Sequence, residues 1–385
     1  MFEKLSHLAL QQYWWIIISL LAALLVFLFF VQGGQMLIYT LGKTEKERKM
    51  IVNSLGRKWE FTFTTLVTFG GAFFASFPLF YATSFGGAYW VWFLILFAFV
   101  IQAISYEFRS KPNNIFGART YENFLYINGF AGTLLTGTAV ATFFTGSNFM
   151  VNDLNQPQWT SPFHGLELAF DLGRYATYIN LSLGLAVFFL SRILGIFYLL
   201  NSIDDRLISG RARRQLTINS GAFLFFFVFF LLNLILMDGF NYNPDTLLVT
   251  REPFKYLQNF LEMPVVFLIF LTGVSLVIFS LFKSRTHYET FSPKAIWMAG
   301  PGTILTVFSL MLLAGLNHTA FYPSVSDVQS SLTIVNASSS HYTLTVMSYV
   351  SLMVPFVAAY IWYAWKSINR KKIDAAEMEE DAHIY

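Results

Sequence analysis

Apolar residues run along this chain in long blocks separated by polar connections. A bilayer core of about 30 Å takes roughly 20 apolar residues per helix. Scanning with a window of that length predicts nine spans, centred near residues 26, 72, 98, 133, 190, 227, 271, 304 and 354. The apolar run from about Tyr13 to Tyr39 exceeds a signal-peptide core and lacks a small-residue cleavage site, so it is read as the first span. The second is the weakest: Thr62, Thr64, Thr65, Thr68 and the pair Gly70-Gly71 dilute it, and Pro78 bends it or marks its boundary. Its polar face is expected to meet protein rather than lipid. The pattern defines an all-α polytopic membrane protein, a single transmembrane domain over 1–373 followed by an acidic tail over 374–385. Nine spans divide loosely into two four-helix bundles and one peripheral helix.

Composition supports the same class. Of the 385 residues, 55% are hydrophobic and 12% charged, where a soluble domain carries about 25% charge. Phe alone occurs 44 times, with nine Trp and 19 Tyr, which suits lipid-facing surfaces and interfacial belts. Cys is absent, so disulfides, thiolate metal sites and iron–sulfur ligation are excluded. The net charge of +3 does not indicate nucleic acid, because the cations sit in short segments beside apolar runs. Those segments set topology instead. They are 43–58, 109–119, 206–214, 283–294 and 366–372, and with nine spans all five fall on one side of the membrane. By the tendency of Lys and Arg to remain cytoplasmic, the amino terminus lies outside and the carboxyl terminus inside.

Electron-transfer proteins in membranes usually hold haem between His pairs at helical depth. His7, His164, His287, His318, His341 and His383 all fall in loops, tails or span ends, so no haem is expected in this chain. Metal-binding HExxH runs and Gly-rich phosphate loops are missing. Gly33-Gly34 and Gly86-Gly87 read as packing or turn glycines.

Charges beside apolar segments carry the remaining information, since an ionisable group at membrane depth needs a partner or a water path. Glu60 follows Trp59 at the start of span two, and Glu107 ends span three just before Arg109. Either carboxylate is a candidate to accept cytoplasmic protons. The alternative is a boundary carboxylate that pairs with Lys58 or Arg109 and fixes loop geometry. Arg192 lies well inside span five and is expected to snorkel, to pair with a carboxylate of another helix, or to face a partner subunit. Gln32 and Gln35 can hydrogen-bond between helices but cannot carry a proton as a carboxylate does.

Four stretches in this order resemble subunit II of cytochrome bd quinol oxidases. The first is Leu41-Gly42-Lys43 through Glu47-Arg48, Asn53-Ser54 and Trp59-Glu60. The second is Gly70-Gly71-Ala72-Phe73-Phe74-Ala75 with Phe77-Pro78, followed by Tyr106-Glu107-Phe108-Arg109-Ser110-Lys111. Asp238-Gly239-Phe240 is the third, and Tyr322-Pro323-Ser324 through Asn336-Ala337-Ser338-Ser339 and Pro355 the fourth. The resemblance implies a bacterial inner-membrane heterodimer. In it a subunit I carries haems b and d, oxidises quinol and reduces O₂ to water, and small single-span subunits and membrane lipid are further possible partners. It assigns Glu60 to proton entry and makes Glu107 a second acidic position. Gln32 and Gln35 depart from it, because many members carry acids there. A secondary transporter of a small solute is the rival reading, and a purely structural anchor is a third.

Overall fold

The computed structural model describes residues 2–368 and 372–373, so the acidic tail over 374–385 and His383 lie outside the described residues. Eight helices are long and apolar enough to cross a membrane, and a broken segment makes up to nine. In chain order they are α1 (His7–Gln35), the amphipathic α2 (Glu45–Gly56), α3 (Trp59–Ser76), α4 (Tyr89–Phe108), α5 (Ala118–Thr145), α6 (Tyr175–Ser202), α7 (Arg206–Leu236), α8 (Pro264–Thr286), α9 (Ile296–Gly315) and α10 (His341–Ser367).

Local chemistry sets the boundaries. Thr44 starts α2 with a capping box, its hydroxyl accepting from the Glu47 N–H while the Glu47 carboxylate accepts from Thr44. Span two breaks where the sequence places Pro78. Phe77 is pushed out of the helical region (φ −132°, ψ 67°) and the chain turns by 117° into Pro78–Gly87, which ends in a π-helical turn over Tyr81–Gly87.

The first span is central: α1 packs against α3, α5, α6 and α9, while α5 packs on α4 and α6, α6 also on α7, and α8 on α9. Trp15, fully buried in α1, donates from Nε1 to the Met311 carbonyl of α9 at 3.0 Å. α10 is the least covered span, with only 22% of its apolar window buried. On the face away from the basic segments, Phe149–Val151 pairs with Pro157–Trp159 and Gly239–Tyr242 with Val249–Glu252, two short antiparallel hairpins over the helix ends.

Within this chain only part of the polar face of α3 meets protein. Thr62 is buried and donates to the Leu28 carbonyl, but Thr64, Thr68 and Gly71 are exposed. Their exposure is tolerable because the Thr65 and Thr68 hydroxyls donate to Phe61 and Thr64 of their own helix.

Candidate functional site

Polar side chains of α1, α2, α4 and α5 gather in two layers near the basic face. The deeper layer is an amide cluster. Gln32 donates from Nε2 to Gln102 Oε1 at 2.7 Å and to Asn128 Oδ1 at 3.3 Å, and Gln35 Nε2 donates to Gln102 Oε1 at 2.8 Å and to the Tyr106 hydroxyl at 3.0 Å. All four amides are fully buried. Three spans are thereby tied together by neutral groups, which satisfies polar atoms in hydrocarbon without burying a charge. Two acceptors, Gln32 Oε1 and Gln35 Oε1, and two donors, Gln102 Nε2 and Asn128 Nδ2, have no protein partner. Such a balanced set is what bridging waters would complete.

The shallower layer is ionic. Glu122, 1% exposed, receives Arg109 NH2 at 2.6 Å on Oε1 and Arg48 Nε at 3.0 Å on Oε2. One carboxylate thus joins α2, the end of α4 and the start of α5. Beside it Glu47 Oε2 pairs with Arg211 at 2.9 Å, linking α2 to α7.

The structure corrects three expectations about charge. Arg109 does not pair with Glu107; its side chain turns inward to Glu122, while Glu107 faces outward and pairs with Lys111 one helical turn on, at 3.2 Å between two exposed groups. Among the described residues Lys58 meets no carboxylate: it is fully buried, its Nζ has no hydrogen-bond partner there, and it lies 4.6 Å from the Trp365 ring centroid. Arg192 finds neutral acceptors rather than a carboxylate, donating to Asn219 Oδ1 at 2.7 Å, Gln215 Oε1 at 3.3 Å and the Met36 carbonyl at 3.4 Å. Glu60 is exposed on the first turn of α3, and Trp59 next to it stacks on Tyr106 at 5.8 Å between ring centroids. Trp59 and Tyr106 thus connect the surface near Glu60 to Gln35 and the amide cluster.

Glu122, Gln102 and Asn128 escaped the sequence reading. A signal existed for Glu122: between residues 109 and 122 the other charged side chains are Arg109, Lys111 and Arg119, so a lone acid there has cations to meet.

The unpaired lysine gives a first prediction. Burial lowers the Lys58 pKa to about 7, and an amine buried with no acceptor among the described residues is destabilising in either protonation state, so Lys58→Met is expected to raise the stability of the purified complex by about 1–3 kcal/mol, read as a higher thermal midpoint. A lower midpoint would instead show that the assembled complex supplies an anionic partner.

These features define a multi-pass helical membrane protein with a polar, partly ionic seam at one face and no group of three or more His, Cys, Asp or Glu arranged to hold a metal among the described residues. Residues 10–368 match the family described as cytochrome bd terminal oxidase subunit II, and the chain belongs to that family. It is 27% identical over 372 residues to the cytochrome bd-I ubiquinol oxidase subunit 2 of Escherichia coli strain K12, covering 92% of each chain. It is 27% identical over 367 residues to the cytochrome bd ubiquinol oxidase subunit 2 of Bacillus subtilis strain 168, covering 91% of this chain and 93% of the relative. Its fold matches a chain of the bd oxidase from Geobacillus thermodenitrificans with a TM-score of 0.61 and 12% identity, over 94% of this chain and 98% of that one. The chain is therefore a subunit of an oxidoreductase complex whose other principal component is a subunit I.

Proposed function

We propose that this subunit II carries no haem and serves a haem-bearing subunit I that oxidises quinol and reduces O₂ to water. The placement of its histidines carries the reading. His7 and His341 begin spans, His287 follows one, and His164 and His318 lie in connections, so the described residues offer no His pair at membrane depth to hold an iron. That placement supports a role as structural support for the partner. A reduced-minus-oxidised spectrum tests this. The b- and d-type bands of the purified complex should leave with the partner when the subunits are separated, and haem retained on the isolated chain would sink the reading.

The docking face has support from α3 and α4. Thr64, Thr68 and Gly71 are exposed at membrane depth beside Phe74, and Phe93 and Phe97 are 58% and 54% exposed. A face mixing hydroxyls, a glycine and large aromatics suits close packing against another helix better than lipid alone. The basic segments, gathered on one side, support an orientation with the amino terminus outside and the carboxyl terminus in the cytoplasm of a bacterial inner membrane.

Glu60 is the proton-entry candidate within this chain, since it is solvent-accessible and sits one residue from the Trp59–Tyr106 stack that leads to the amide cluster. Glu107, which faces outward and pairs with Lys111, is the weaker of the two. Glu60→Gln should lower quinol-driven O₂ uptake several-fold with the haem spectrum unchanged, and Glu107→Gln should leave it near wild type. Equal turnover in wild type and Glu60→Gln would assign proton entry wholly to subunit I.

A further inference from the structure

On the face away from the basic segments, a cavity of about 440 Å³ opens between the end of α5, the start of α6, the end of α7 and the Gly239–Glu252 hairpin. Two arginines line it: Arg174, half-buried immediately before α6, and Arg251, which lies over the Phe240 ring at 5.4 Å. Among the described residues neither guanidinium has a hydrogen-bond or ion-pair partner in this chain. Their position is unusual for their charge. The connecting segments of this face hold otherwise only Lys4 and Lys255, and Lys255 is paired with Glu252. Two arginines from segments 77 residues apart in sequence converge on one cavity on the side where cations are scarce.

Asp238 also lines the cavity. Two guanidinium groups against one carboxylate leave one net positive charge, the complement of a single phosphodiester. Arginine's planar fork suits phosphate oxygens. The cavity lies at headgroup level, because Arg174 borders the first residue of α6 and Leu236, the last residue of α7, forms part of its wall. Below it Phe225, Val228, Leu232 and Leu236 share one stripe of α7 and are 66%, 47%, 50% and 62% exposed. From Phe225 to Leu236 a helix rises about 16 Å, the reach of an acyl chain. We infer that this cavity binds one phospholipid of the adjacent leaflet, its phosphate held between Arg174 and Arg251 and an acyl chain laid along the α7 stripe. Neither apolar surface nor charge alone identifies this ligand. Their continuity does, because a soluble anion would use the arginines and leave the stripe bare.

Native mass spectrometry of the purified oxidase complex tests the inference by counting retained phospholipids, followed by titration of the delipidated complex with phosphatidylglycerol. The Arg174→Gln/Arg251→Gln complex is expected to retain one lipid fewer and to bind added phosphatidylglycerol at least about tenfold more weakly, a difference of about 1.4 kcal/mol. The corresponding double Lys variant should retain most of the binding. If the double Gln variant fails to assemble, Arg251→Gln alone serves, since its side chain is surface-exposed. Unchanged lipid count and affinity overturn the proposal. So does displacement of the lipid by inorganic phosphate, which would mark a free-anion site, or a loop of the partner subunit seated in the cavity.

Discussion

Glu122→Gln is expected to cost the chain about 3–5 kcal/mol of stability, the penalty for leaving a buried charge without its counter-ion. Glutamine preserves the shape of the side chain but offers one neutral oxygen where two charged ones stood. Arg109 is 4% exposed and bonds Glu122 through both NH2, at 2.6 Å, and Nε, at 3.2 Å. It is nearly sealed from water where α4 ends beside the start of α5. Arg48 is better placed to adapt, with 23% of its side chain exposed, so Arg48→Gln should cost only about 1 kcal/mol. The contrast between the two partners separates burial from charge count. Thermal loss of haem absorbance in the detergent-solubilised complex measures both. Equal midpoints for Glu122→Gln and wild type would mean that the ion pair contributes nothing net. Replacing both members, as in Glu122→Leu with Arg109→Met, should recover most of the loss, because the penalty comes from the stranded cation rather than from the missing bond.

The same cluster shows which features were legible in the sequence. The position of the spans follows from solvent physics: hydrocarbon requires long apolar helices, and the long apolar blocks of the sequence are where the structure places them. Even the weak second span was visible as weak, and Pro78 marks the place where it breaks. Partner choice was not legible. Arg109 stands two residues from Glu107 and thirteen from Glu122, yet consecutive helical positions diverge by about 100°, so the nearer acid points away while the farther one returns on a neighbouring helix. Arg192 posed the same difficulty from the other side. A cation inside a span suggests a carboxylate, but one carbonyl and two amides on α1 and α7 supply its acceptors. Those amides carry no charge that a hydropathy scan would notice. The departure at Gln32 and Gln35 was visible in sequence, but their meaning depended on Gln102 and Asn128, polar residues of other spans that only the fold brings within 3.3 Å.

Gly33→Ala should disrupt the chain more than an alanine at either glycine of the Gly70-Gly71 pair. At Gly33 a Cβ would stand 1.8 Å from the Ser191 carbonyl oxygen and 2.6 Å from the Arg192 nitrogen, both backbone atoms of α6. Gly195 meets the same crossing from the other side, its Cβ falling 2.5 Å from the Gly34 nitrogen. Two spans therefore touch backbone to backbone, and dispersion between them replaces the hydrophobic drive that lipid removes. No rotamer change relieves a clash with backbone, so α1 and α6 must separate, at a cost near the upper end of the 1–3 kcal/mol typical of overpacking, or about 3 kcal/mol. Separation would also draw Gln32 and Gln35 away from Gln102 and move Arg192 relative to the Met36 carbonyl. At Gly34 the nearest atoms are side-chain carbons of Leu55, which can shift, so Gly34→Ala should be milder. At Gly71 a Cβ meets nothing within 4 Å, and Gly71→Ala should match wild type within this chain. Midpoint and yield of the assembled complex across the three variants check the order. If Gly33→Ala proved as stable as Gly71→Ala, the backbone contact between α1 and α6 would contribute nothing to the stability of the subunit.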